Sequence, residues 1–198
     1  MPKFKQIKEL GVYSGADIRD RWKNDSTTIK KKMMDAPSMT GFKIEQVSID
    51  NIDDIDKKVR IKLEGAITFA KETDVIFLDA YFEKIFDENP IKEVRDRKYP
   101  IEFDYLEQNN YKIYVLLNNQ YEFDDYPTAK QITFGAQPQM YFKSTVDIDT
   151  TQNKILLQSK FENGSIVLPN TEIEKLRDFY NGVIKAQSQK IVLKKRRK

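Results

Sequence analysis

The sequence predicts a mostly β protein, an antiparallel β-sandwich of about 7–9 strands with one helix near each end. Two observations predict it. Segment after segment alternates apolar with polar residues, with turn-forming residues between, and only two segments instead repeat their apolar residues every three or four positions. The 12 Phe and 10 Tyr agree, since aromatic side chains suit a pleated, half-buried surface.

Phe4–Tyr13 reads as a first strand with weak alternation. Ser14, with Asp17 three residues on, has the spacing of a capping box. Ile18, Trp22, Ile29 and Met33 then share a helical face, which predicts an N-terminal helix over about 15–35 with Trp22 as a core anchor. Pro37 stops that helix, and Asn24-Asp25-Ser26 can split it. Val59, Ile61, Leu63, Gly65, Ile67 and Phe69 alternate with polar or small residues, the cleanest strand of the chain; Gly65 in its middle marks a bulge or a close backbone approach. Ahead of it, Phe42 and Ile44 have one parity and Val47 and Ile49 the other, so a bulge near Glu45 would align all four.

Further strands are expected at Val75–Tyr81, at Tyr99–Tyr105 (beginning at an edge because of Pro100), and along Tyr111, Ile113, Val115 and Leu117. Met140–Ile148 and the strand of Ile155, Leu157 and Phe161 are joined by a hairpin turn at Asp149–Asn153, while Tyr121–Pro127 reads as a loop with aromatic anchors. Thr171, followed by Glu174, is a candidate cap for a C-terminal helix over about 171–188, whose stripe is Ile173, Leu176, Tyr180, Val183 and Ile184. Lys190–Leu193 adds a short strand. The helices are expected to cover an end or an open edge of the sandwich. Residues 1–38 are expected to lead into the sandwich of 39–198, the two packing as one unit.

Composition narrows the chemistry. The chain of 198 residues has no Cys and no His, so thiol nucleophiles, imidazole relays, thiolate or imidazole zinc sites and disulfides are unavailable to it. The seven glycines are scattered and form no phosphate loop. A net charge of +3 with intermixed signs predicts no nucleic-acid partner. No apolar run reaches membrane-crossing length, so no membrane insertion is expected. Met1–Lys5 lacks the apolar stretch of a signal peptide, and any export address is expected outside this chain.

Three charged features have ordinary readings. The run Asp50–Asp56 lacks the spacing and the glycine of a calcium loop and reads as a solvated turn. Asp124 and Asp125, near Glu122, are sequence neighbours that point apart, not a paired acid and base; a carboxylate-only hydrolase would need distant carboxylates converging in a cleft. The basic tail Lys194–Lys198 has no aromatic residue for base stacking. No catalytic residue, cofactor or metal ligand is expected. Tyr114 and Tyr141 have the parity opposite the core residues; they are either a stacking surface for a glycan or covered by a helix on the second face of the sheet.

Two stretches carry a family resemblance. One is Asn89-Pro90-Ile91-Lys92 followed by Arg97–Phe103; the other is Leu168-Pro169, Glu174–Tyr180 and Gln189–Leu193. Together they resemble the C-terminal region of large bacterial transglutaminase-like proteins of the Bacteroidetes type, and Gly11–Ala16 with Arg19 is similar to the passage just after their catalytic core. The Asn118-Asn119-Gln120 turn departs from the pattern. The resemblance implies a β-domain following a core whose Cys–His–Asp chemistry has no counterpart here. It therefore implies a non-catalytic accessory domain, in the periplasm or cell envelope, whose partner is the transglutaminase-like core or an envelope protein. The alternative is a carbohydrate- or envelope-binding module using Tyr114 and Tyr141.

Overall fold

The computed structural model describes residues 1–35, 42–68, 74–81, 84–93, 98–135 and 139–196. Strand β1 (Lys3–Leu10) leads into helix α1 (Val12–Met34), followed by β2 (Phe42–Asp50), β3 (Arg60–Ile67), β4 (Val75–Asp79), β5 (Ile101–Glu102) and β6 (Glu107–Leu116). Then come β7 (Tyr121–Asp125), β8 (Lys130–Phe134), β9 (Met140–Asp149), β10 (Lys154–Asn163) and β11 (Val167–Leu168). A 3-10 turn (Asn170–Glu172) opens α2 (Ile173–Gln187), and β12 (Lys190–Lys195) ends the described chain. Seven strands form one antiparallel sheet in the order β2-β3-β1-β6-β10-β9-β8; β4-β12-β7 form a second, and β5 and β11 pair alone. β1 pairs on both sides, with β3 and with β6.

Alternation decides the layers. Register sets Gly65, Phe4, Val115 and Ile155 side by side, and two residues further Leu63, Gln6, Ile113 and Leu157, all on one face of the large sheet. The small sheet covers that face with Leu78, Tyr121, Ile191 and Leu193, giving a sandwich-like core. At the β8–β9 end, α2 lays Leu176, Phe179, Tyr180 and Val183 on Phe134, Met140, Phe142 and Phe161. At the β2–β3 end, α1 sets Ile18 against Leu10 and Val59. Each fully buried side chain of this kind contributes about 1.5–3 kcal/mol.

Both helices and the second sheet thus pack on one face, and among the described residues no helix covers the other. That outer face carries the cross-strand ion pairs Lys5–Glu64 (2.7 Å), Arg60–Glu9 (2.6 Å) and Lys62–Asp50 (2.5 Å). These charges stand among the apolar side chains of that face, Ile7, Tyr114, Leu116, Leu156 and Tyr141, and break them into patches too small for the stripe of an amphipathic helix.

The bulge falls where the parity change places it: the β2–β3 register shifts between Ile44 and Gln46. Gly65 lies opposite, and a Cβ there would sit 2.0 Å from the carbonyl oxygen of Lys43, so the bulge and the glycine require each other.

Several expectations are corrected. The first strand stops at Leu10, and Gly11 is the helix N-cap, so Ser14 lies inside the first turn instead of capping it. The helix does break at Asp25 (φ −158°, ψ 80°), whose carboxylate accepts from the Thr28 amide at 2.9 Å and caps the second half. The break interrupts the seam. Trp22 is half-buried outside the core, with Lys30 Nζ 5.2 Å from its ring centre. The strand expected over Tyr99–Tyr105 shrinks to Ile101–Glu102. The stretch read as a loop from Tyr121 is strand β7, paired with β12. Its entry is pinned by the buried Asn153, whose Nδ2 donates to the carbonyls of Asn118 (3.1 Å) and Tyr121 (2.7 Å). Strand β8 has only Ile132 and Phe134 as apolar marks, too few to predict a strand. Thr171 lies in the 3-10 turn, and α2 begins at Ile173 with no side-chain cap. Pro37, Phe69, Arg97 and the last two residues lie outside the described residues.

Candidate functional site

The elements covering the inner face do not close it completely. Between α1 and the wall formed by Lys84, Ile85 and Gln187 lies a cleft of about 970 Å³, at the upper end of the range typical of ligand sites. Its floor is the centre of the large sheet. Leu10, Ile61, Leu63 and Tyr111 supply apolar surface there, and Gln6 and Lys8 interrupt it. On the α1 side stand Ile18 and Met33 with Arg21 and Lys32. At the mouth, Tyr13 and Tyr105 stack with ring centres 4.8 Å apart.

The floor is polar where a sheet centre is ordinarily apolar. Gln6 is 3 % exposed, and its Oε1 has no hydrogen-bond partner among the described residues. Gln187, 2 % exposed, is by contrast committed: its Oε1 accepts from the Ile85 amide at 3.1 Å and fixes that wall. Tyr111 donates to the Ala80 carbonyl at 3.3 Å. Next to the cleft, burial pushes the Tyr81 hydroxyl up to about 12, against hydrogen bonds with Ser159 and Ser144 that lower it. Four cationic side chains line the space, Lys8, Arg21, Lys32 and Lys84, against two carboxylates, Asp17 and Glu107. Arg21 donates to Asp17 at 2.5 Å, and Glu107 accepts from Asn109 Nδ2 at 2.6 Å.

This arrangement is suited to binding. Proton donation by a carboxyl group at neutral pH needs apolar burial to keep it protonated, whereas the Asp17 side chain is 63 % exposed and ion-paired. Among the described residues no cluster of three or more His, Cys, Asp or Glu could hold a metal ion.

The acidic run at 50–56 has a different structural purpose. Arg19 reaches from α1 into that loop and donates to the carbonyls of Ile52 (3.2 Å), Asn51 (3.3 Å), Asp54 (2.7 Å) and Lys57 (2.6 Å). Carbonyl oxygens converge on a cation as they do in a calcium loop, but the cation is a guanidinium, and it fastens α1 to the β2–β3 connection. Sequence reasoning missed this because the clamp lies more than thirty residues away. The other charged features pair with each other: Lys194 with Asp124 at 3.7 Å and Arg196 with Glu122 at 3.4 Å.

Tyr114 and Tyr141 do lie on the outer face, half-buried, on the opposite side of the sheet from the cleft. They are not one site. Tyr114 is opposite Leu156 and Tyr141 opposite Glu162, so they are offset by six residues, about 20 Å along the strands. Lys154 Nζ stands 5.5 Å from the Tyr114 ring centre and Lys160 Nζ 5.9 Å from that of Tyr141, over the faces a sugar would need. The residues that do converge, Gln6, Lys8, Asn109 and Ser159, had one signal in the sequence: they are polar and share the parity of buried neighbours such as Phe4 and Ile113.

No curated protein and no solved structure matches this chain. A family model does, over residues 73–193, which include β4–β11, α2 and most of β12 but not β1, α1, β2 or β3. The cleft therefore has one wall inside the matched span and the other, with part of its floor, outside it. With more than half its length matched, the chain belongs to the family DUF3858, a domain of unknown function with a solved structure.

Proposed function

We propose that this chain is a non-catalytic accessory domain of a transglutaminase-like protein, and that it works by holding a partner in the cleft between α1 and the Lys84–Gln187 wall. The observation that carries this is the cleft itself, about 970 Å³ over the inner face of the large sheet, where the apolar side chains Leu10, Ile61, Leu63 and Met33 stand beside polar ones. The lack of thiol and imidazole groups supports a non-covalent task. The resemblance at Asn89–Lys92, Arg97–Phe103, Leu168-Pro169, Glu174–Tyr180 and Gln189–Leu193 supports a transglutaminase-like core as the neighbour.

The test is to titrate the purified chain with a separately produced transglutaminase-like core and follow amide hydrogen exchange. Slowed exchange is expected in β1 and in the cleft-facing turns of α1. Protection confined to the outer face around Tyr114 and Tyr141 would move the contact to the glycan-module surface. Turnover of a peptide substrate by the chain alone would overturn the non-catalytic reading.

A further inference from the structure

We propose that strand β4, at the open edge of the small sheet, pairs with β4 of a second copy of this chain across a two-fold axis. The inference is independent of the cleft, none of whose lining residues lies on β4.

An edge strand invites pairing, and proteins blunt their edges with charges, prolines, bulges or covering elements. The other edges of the two large elements of the sandwich carry such devices. β2 is bulged between Ile44 and Gln46. β7 shifts register against β12, carries Glu122, Asp124 and Asp125, and is followed by Pro127. α2 lies so close to β8 that a Cβ on Gly182 would sit 3.1 Å from Ile132. Among the described residues β4, Val-Ile-Phe-Leu-Asp, has none of these. Its outward side chains Val75 and Phe77 are 41 % and 67 % exposed, and Val192 of β12 stands beside Phe77.

The backbone says what fits there. In an antiparallel ladder alternate residues bond to a given neighbour. The Lys195 amide donates to the Asp74 carbonyl at 2.8 Å, and the register carries that phase to Ile76 and Leu78. Val75 and Phe77 therefore aim their amides and carbonyls at the open side, where no described strand receives them. A further strand satisfies both kinds of group in alternation. The side chains select a second copy. In a two-fold register centred on Ile76, Phe77 lies opposite Val75 of the other copy and Val75 opposite its Phe77, an aromatic against a β-branched residue twice over. Asp79, the one charge on the strand, falls outside these pairs and is held by Lys190. The strand spans about 17 Å, small for a specific interface, so the dimer is weak and forms as concentration rises.

The test is sedimentation of the 198-residue chain from micromolar to millimolar concentration, with amide hydrogen exchange at both ends of the range. The mass is expected to rise from monomer to dimer. Exchange at high concentration is expected to slow at Val75 and Phe77 and to stay as it was at Ile76 and Leu78, whose amides already face β12. Phe77→Lys and Val75→Lys, both at exposed positions, are each expected to weaken association about tenfold or more, because the two-fold repeats the lost pair, with the melting temperature unchanged. Phe77→Tyr is expected to keep the dimer.

A chain that stays monomeric at millimolar concentration would overturn the proposal. So would a dimer that Phe77→Lys leaves intact, or one whose protection leaves out Val75 and Phe77, since association would then use another surface. The exchange measurement needs no variant and decides the case if a substitution disturbs folding.

Discussion

The inner face of the large sheet has two regions made by the same strands. Beneath α2 and the small sheet lie Phe142, Phe161, Ile113 and Leu157, each exposed by 1 % or less. Beneath α1, Gln6 and Lys8 lie between Phe4 and Leu10 on the same face of β1, and the face opens into a cleft. The difference begins in the covering helices. α2 buries seven of its fifteen residues, whereas α1, longer at 23 residues, buries only Gly15 and Ile18. A helix without a full apolar stripe cannot seal a sheet, so the polar residues under it are tolerated, and they give the domain a surface its packed half lacks.

The two regions should respond differently to the same damage. Phe161→Ala removes a ring held between Phe86 and Phe179, where no water can enter. A loss of about 4 kcal/mol is expected in urea unfolding. Ile18→Ala, on the wall of the open cleft, is expected to cost about 2 kcal/mol, since neighbours and water can fill the space. Equal losses would mean that the cleft closes in solution and would erase the contrast.

Tyr180 sharpens it from the packed side. Burial, helped by the charge of Glu107, pushes its hydroxyl up to about 12. The folded state then keeps a proton that the unfolded chain releases near pH 10, so stability is full below pH 10 and falls as pH rises towards about 12. Tyr180→Phe keeps the ring contacts with Phe86 and Phe179 and should remove a fall of about 2 kcal/mol across that window. Urea midpoints at pH 9 and pH 11 capture about 1.3 kcal/mol of it; an unchanged slope would show that Tyr180 is hydrated in the folded state.

How much of this was legible in the sequence follows the same division. Where the residues of one parity are apolar, as throughout Tyr111–Leu117 or, but for Ser159, in Ile155–Phe161, the strand and its buried face were readable, as were the bulge at Glu45 and the tight place at Gly65. Local periodicity carries that information. The cleft was not readable, because Gln6 and Lys8 weaken the alternation of β1 and so look like a poor strand. Nothing local reveals that β1 lies at mid-sheet, where a polar side chain is an anomaly with meaning. Arg19 and the 50–57 loop were missed for a related reason: the spacing of the acidic side chains was readable, but the carbonyl oxygens that receive the guanidinium converge only in the folded chain. Tyr114 and Tyr141 were placed on the correct face, yet parity contains no information about how far apart they stand.

The smallest effect belongs to the outer face. The Arg60 guanidinium hydrogen-bonds Glu9 through two nitrogens, at 3.0 and 2.6 Å, and this bonding, opposed by partial burial, holds the Glu9 carboxyl below its usual range. A carboxyl lowered in the folded state contributes stability above the ordinary glutamate pKa and loses it as pH falls through the folded value. The pair is partly solvated, with Arg60 44 % exposed at its side chain. Screening therefore limits Glu9→Gln to a loss of about 0.5 kcal/mol at neutral pH, vanishing in acid below the folded value and shrinking in high salt. Urea midpoints of the two chains at pH 7 and pH 3 read the difference. A loss above 2 kcal/mol at pH 7 would mean that the outer face is not the solvent-facing side of the sheet, and the contrast between a charged, open surface and the cleft behind it would have to be redrawn.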